Sequence, residues 1–195
     1  FNVAAGTYSE QVRMHRITGA SNTSRVTFQS ANGNPASVIL TYDATNAAAN
    51  YVLQLDSASY ITYRNMTITA INATNGRAVD IANLASNDSL VNNIINAPTA
   101  TGTGTTVVGI HAANLAGGDH TIKGNTVNGG VTGIYFGSTT TSPSAYNFID
   151  SNTVTGSYYY GIYNSNTRFT SVSKNTVTVT APRNTTTYGI YLTSA

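Results

Sequence analysis

Two three-residue phrases recur along this chain at the spacing of a solenoid coil. Asn-Thr-Val begins at Asn125, Asn152 and Asn175, at intervals of 27 and 23 residues. Gly-Ile-Tyr begins at Gly133, Gly161 and Gly189, at intervals of 28 and 28, and a looser Gly-Ile-His begins at Gly109, 24 residues before the first of them. Interleaved phrases with a period of some 20 to 50 residues mark stacked repeats, in which each unit buries its apolar face against its neighbours.

The repeating unit is built from strands. Runs such as Val26-Thr-Phe-Gln, Val38-Ile-Leu-Thr, Tyr51-Val-Leu-Gln-Leu and Tyr60-Ile-Thr-Tyr are short, rich in β-branched or aromatic residues, and bounded by Asn, Gly, Ser or Pro. No window carries the i, i+3, i+4, i+7 apolar spacing of a helix, and residues 78–84 read as a strand and a turn. The opening twelve residues alternate around Gly6, which predicts strand, turn, strand.

From residue 78 the repeats align. One strand type reads Val79-Asp-Ile, Ile110-His-Ala, Ile134-Tyr-Phe, Ile162-Tyr-Asn and Ile190-Tyr-Leu. The other is a bent unit: Leu90-Val-Asn-Asn-Ile-Ile, Ile122-Lys-Gly-Asn-Thr-Val, Ile149-Asp-Ser-Asn-Thr-Val and Val172-Ser-Lys-Asn-Thr-Val. Its apolar ends lie an odd five residues apart, so a straight strand would send them to opposite faces, and the chain must turn between them for both to reach one core. Asn at such a corner tolerates a left-handed backbone. A rung is therefore three short strands, each coil takes roughly 23–28 residues, and residues 1–195 form one all-β parallel β-helix domain.

These phrases resemble the coils of the right-handed parallel β-helix superfamily that includes pectin and pectate lyases. The opening Val3-Ala-Ala-Gly-Thr-Tyr-Ser-Glu-Gln-Val is similar to the first coil of pectin methylesterases, except that Ala5 stands where that pattern has proline. The resemblance implies a right-handed solenoid whose corner asparagines, Asn93, Asn125, Asn152 and Asn175, stack in a ladder that Asn65 extends. It also implies a glycan groove along the Gly-Ile-Tyr strands. It carries over no catalytic residue. The calcium-binding acidic cluster of the lyases, the Gly-His-Gly and Arg-Ile-Lys phrases of the polygalacturonases and the two-aspartate set of the methylesterases are all missing.

Strand parity supplies the candidate site. If Ile134 and Phe136 face the core, Tyr135 faces out, and the same logic aligns Asp80, His111, Tyr135, Tyr163 and Tyr191 in one external column, with Gln54 preceding it. Tyr158, Tyr159, Tyr160 and Tyr188 enter that strip from loops. An aromatic strip edged by Asn and Thr suits sugars, with Tyr159 among the contacts; tyrosines on neighbouring rungs also stabilise a sheet by themselves. Asp80 and His111 fall on neighbouring rungs, where a carboxylate orients an imidazole for proton transfer, and two exposed polar neighbours would look the same. Asp119-His120 follows Gly117-Gly118 and reads as a turn. An ice-binding face would need threonine in register on every rung, and the aligned columns show tyrosine and asparagine.

Composition narrows the partners. Only 8% of residues are charged and the net charge is +2, so the basic face that nucleic acid requires is lacking. There is no cysteine, hence no disulfide or thiolate site, and no acidic cluster calls for a metal or other cofactor. No apolar run approaches the ~18 residues of a membrane span. Neutral hydroxyls and amides in place of charge point to an extracellular or cell-surface protein, bacterial in style. Three functions follow as expectations: a non-catalytic glycan-binding or adhesive module, a segment of a polysaccharide-active enzyme with its catalytic residues elsewhere, or a structural unit of a stalk or filament. The coils at both ends read as uncompleted, predicting continuation into further coils or end-to-end self-association.

Overall fold

The computed structural model describes residues 1–113, 117–139, 141, 143–178 and 186–193. Seven coils of a right-handed parallel β-helix run through them, and every pairing between successive coils is parallel. The first sheet runs from Asn2–Val3 through Val26–Ser30, Ile61–Arg64, Ser89–Val91, Thr121–Lys123 and Phe148–Asp150 to Ser171–Ser173. The second runs from Gly6–Ser9 through Val38–Tyr42, Thr67–Ala70, Ile94–Asn96, Thr126–Asn128 and Thr153–Thr155 to Thr176–Thr178. The third runs from Val12–Met14 through Leu53–Asp56, Arg77–Ala82, Val108–Ala112, Thr132–Gly137 and Tyr160–Ser165 to Tyr188–Thr193. The opening residues thus form a whole coil, with the first corner at Ala4 and Ala5; Gly6 is the first residue of the second strand, not the turn. Two short 3-10 turns, Pro35–Ser37 and Ala47–Ala49, are the helical elements among the described residues.

The core is three sets of side chains stacked rung on rung. Leu90, Ile122 and Ile149 come from the first sheet, Ile68, Ile95, Val127 and Val154 from the second, and Val79, Ile110, Ile134 and Ile162 from the third. All are fully buried. At the N-terminal end Phe1, Phe28 and Tyr63 continue the first-sheet column as a stack of rings 4.9 Å apart. The Gly-Ile-Tyr phrase has a steric origin. A Cβ on Gly133 would collide with Val154 Cγ1 and with the carbonyl oxygen of Gly161, because the third sheet here presses against the second.

The corner between the first two sheets corrects one part of the sequence reading. The left-handed residues are Asn65, Asn92, Gly124, Ser151 and Lys174, with φ between 52° and 66°, each one position before the ladder residue. The ladder asparagines are selected for hydrogen bonding instead. The Asn125 side-chain oxygen accepts from the backbone N–H and the amide of Asn93, and its amide donates to Leu90 O and to Asn152 Oδ1, all within 2.9–3.1 Å. Asn152 and Asn175 repeat the pattern. Every polar atom of a buried amide is thereby satisfied, which is what allows a file of asparagines inside a core. Asn65 does not extend the ladder. Met66 occupies that rung and only its backbone N–H takes part, donating to Asn93 Oδ1.

Threonine stacks in register over part of the solenoid, beside the asparagine column. On the outer face of the second sheet Thr126, Thr153 and Thr176 lie one above the other and are exposed. The file ends at Ile94, so it occupies three successive rungs and not every rung. Beside it Asn96, Asn128 and Thr155 bond to one another along the axis.

Candidate functional site

The outward column of the third sheet is continuous. Arg13, Gln54, Asp80, His111, Tyr135, Tyr163 and Tyr191 occupy the same register position on all seven coils. Alternation predicted six of these, and Arg13 extends the column by one rung. Its chemistry changes midway. The first part is a polar network, the last part is aromatic, and His111 is the junction.

In the polar half, Asp80 is the hub. Its Oδ1 lies 2.7 Å from His111 Nδ1 and accepts from Arg77 Nη1 at 3.2 Å, while Oδ2 accepts from Gln54 Nε2 at 2.7 Å. Burial works against charge on Asp80, but the bonds from His111 and Gln54 and the charge of Arg77 outweigh it and hold the carboxyl below its usual pKa. His111 is pushed below the usual histidine value by burial, against the pull of Asp80. The pair therefore stands as an ionised carboxylate beside a neutral imidazole at neutral pH. An ionised carboxylate only accepts, so Nδ1 carries the hydrogen and Nε2 the lone pair. One rung further back Asp56 forms a separate cluster: Asn83 and Arg13 donate to it and His15 lies 3.3 Å away.

In the aromatic half, His111 stacks on Tyr135 with centroids 5.3 Å apart and planes at 24°. Tyr135 meets Tyr163 at 5.1 Å, and Tyr163 meets Tyr191 at 5.5 Å. Tyr160 joins this group, stacked on Tyr163 at 4.7 Å and on Tyr188 at 5.3 Å. The ring faces are spent largely on one another, so the group offers edges and hydroxyls more than open faces. Burial and the neighbouring phenols raise the pKa of Tyr135 and Tyr160, which keeps both hydroxyls protonated as donors.

A cleft of about 630 Å³ lies over the junction. Asp80, His111, Tyr135 and Tyr163 form its floor, and Arg77, Val131, Tyr159 and Tyr160 its sides. Thr103 and Thr105 reach in from the connection between the second and third sheets. That connection is seated by a small satellite core of Ala97, Ala100, Val107 and Val131, against which Tyr158 and Tyr159 pack.

Of the sequence-predicted residues, Asp80, His111, Tyr135, Tyr163 and Tyr159 meet in this cleft, and Tyr191 lies beyond it at the end of the strip. Asp80 lines the cleft with both oxygens already bonded to protein, so its role is to hold His111. Three contributors were not anticipated as part of the site: Arg77, the Thr103–Thr105 segment, and Tyr160 as more than a loop entrant. Parity counted back from Ile162 sends Tyr160 and, by register, Arg77 toward the core. Alternation stops at the next residue, Gly161 after Tyr160 and Ala78 after Arg77, and both side chains emerge in the cleft.

No family model and no curated protein matches this chain. Among solved structures, the pectin methylesterase of Aspergillus niger, in a penultimately deglycosylated form, is similar to it with a TM-score of 0.46, covering 99% of this chain and 74% of that one at 10% identity. The likeness is in the path of the backbone and assigns no residue here a role. No helix among the described residues is long and apolar enough to cross a membrane.

Proposed function

We propose that this chain is a glycan-binding β-helix module of a secreted or cell-surface protein, and that the cleft on the third sheet receives the sugar. One observation carries the reading: a cleft of about 630 Å³ walled by tyrosines and threonines lies over a buried polar network in which both oxygens of Asp80 are bonded. Such walls offer neutral hydroxyls to a neutral polyhydroxyl ligand and aromatic edges to its C–H groups. The low charge of the chain fits a ligand bound without ion pairing.

The test is binding to a glycan array followed by titration of the strongest hits. Tyr135→Ala and Tyr163→Ala should each weaken binding about tenfold or more, the worth of about 1.4 kcal/mol of contact. Binding that both variants leave intact refutes the cleft as the site. A second reading, that the cleft also acts chemically on its ligand, is favoured by the 2.7 Å contact between His111 and Asp80.

A further inference from the structure

We propose that His111 Nε2 is the general base of a hydrolytic site that removes acyl groups from sugar hydroxyls in the third-sheet cleft, with Asp80, Gln54 and Arg77 as its positioning residues. The inference rests on the reading of the cleft as a glycan site and adds the reaction and the residue that carries it.

The imidazole is fixed from two directions. Asp80 holds Nδ1 at 2.7 Å, and Tyr135 holds the ring plane by stacking at 5.3 Å. Asp80 is itself held through both oxygens, by Gln54 on one and Arg77 on the other. Side-chain exposure is 12% for His111 and 7% for Asp80, so the pair is shielded by protein and His111 borders the cleft. A base fixed in tautomer and orientation by a buried carboxylate is the arrangement that activates water or a hydroxyl in acyl-transfer chemistry.

The other groups in the cleft select the reaction. Glycoside hydrolysis uses two carboxyl groups flanking the bond, and Asp80 is the one carboxylate among the described lining residues, with its oxygens spent on His111, Arg77 and Gln54. Arg77, the one guanidinium there, spends Nη1 on Asp80. An O-acyl sugar fits what is left: Val108, Ala113 and Val131 for the acyl chain, Tyr160 and Tyr163 hydroxyls for the developing oxyanion. Water gives its proton to Nε2 while its oxygen bonds to the acyl carbon, and the carbonyl π pair moves onto the oxyanion. The bond from acyl carbon to sugar oxygen then breaks, and that oxygen takes the proton back from Nε2. The products are a free sugar hydroxyl and a carboxylic acid, which ionises in solution.

The experiment measures acetate released from O-acetylated xylan and O-acetylated mannan, in parallel with binding of the same polymers. Release should rise with pH through one ionisation below 6.5, the usual histidine value, as the base form appears. The charged groups around His111 are Asp80 and Arg77, with the phenols of Tyr135, Tyr160 and Tyr163, so Asp80→Asn should move that midpoint to lower pH by removing the one group that favours protonation. His111→Ala and His111→Gln should each lower release about 100-fold or more at saturating polymer; Gln keeps a donor to Asp80 and has no basic nitrogen. Nitrogen NMR of labelled His111 should show hydrogen on Nδ1. Polymer binding without acetate release overturns the base assignment and leaves the glycan reading standing, as does release that both His111 variants retain. Absence of both binding and release overturns the two together.

Discussion

A second polar file inside the solenoid makes a quantitative prediction about pH. At the corner between the third and first sheets, Asp88, His120 and Asn147 occupy successive rungs. Asp88 Oδ1 accepts the Ile61 N–H at 2.8 Å, and Asn147 Oδ1 accepts the His120 N–H at 3.2 Å. This ladder holds two titratable members where asparagine would serve. Asp88 is 1% exposed, its Oδ2 has no partner, and burial raises its pKa from 3.8 to about 7 against the Ile61 bond and the charge of Arg25. His120 is completely buried and neither ring nitrogen has a hydrogen-bond partner. Burial lowers its pKa from 6.5 to about 4, although the nearby backbone of Ala85 and Asp88 favours the charged form.

The two contributions have opposite signs. Between about pH 4 and 7 the folded state keeps a proton on Asp88 that the unfolded state has lost, so this group's contribution is complete below pH 4 and falls away as pH rises toward 7. Over the same range the unfolded state protonates His120 and the folded state does not, so that contribution is present above pH 6.5 and falls away as pH drops toward 4. At about 1.4 kcal/mol per pH unit, the spans are roughly 4 and 3 kcal/mol as upper bounds, and they nearly cancel in the native protein. Asp88→Asn should unmask His120: relative to wild type, stability falls by about 1.4 kcal/mol for each pH unit from 6.5 down to 4.5. His120→Asn should unmask Asp88 and produce the opposite slope. Urea unfolding followed by tyrosine fluorescence in the 13-tyrosine, tryptophan-free chain, at half-unit pH steps, measures both. Slopes parallel to wild type in both variants would falsify the argument, since they would mean that neither group changes ionisation on folding.

Two further outcomes concern the frame that positions the cleft. Asn125→Ala removes a fully bonded buried amide and strands the Asn93 N–H and the Leu90 carbonyl, so it should destabilise the fold by roughly 2–4 kcal/mol, read from the urea midpoint. Gly133→Ala forces a methyl against Val154 and the Gly161 backbone and should cost roughly 1–3 kcal/mol by the same measurement; a neutral effect would show that the two sheets are free to separate there.

The sequence by itself determined the coil, the core and the outward column. These depend on interactions that repeat every rung: strand alternation puts Ile110, Ile134 and Ile162 inside and His111, Tyr135 and Tyr163 outside, and Asn125, Asn152 and Asn175 recur because each bonds the next. A periodic cause leaves a periodic trace, and single residues suffice to read it. Tertiary structure alone decided what departs from the period. Tyr160 and Arg77 reach the cleft because alternation ends at the small residue that follows each, Gly161 and Ala78, and Thr103 and Thr105 reach it because a connection of unrepeated length folds over the junction on its own satellite core. His120 sits in a phrase that reads as a turn, yet it fills a ladder rung between Asp88 and Asn147, because a ladder is defined by what lies one coil away. The column could be drawn from spacing. That Asp80 has no oxygen to spare depends on Gln54 and Arg77 converging on it, a contact that spacing does not reveal.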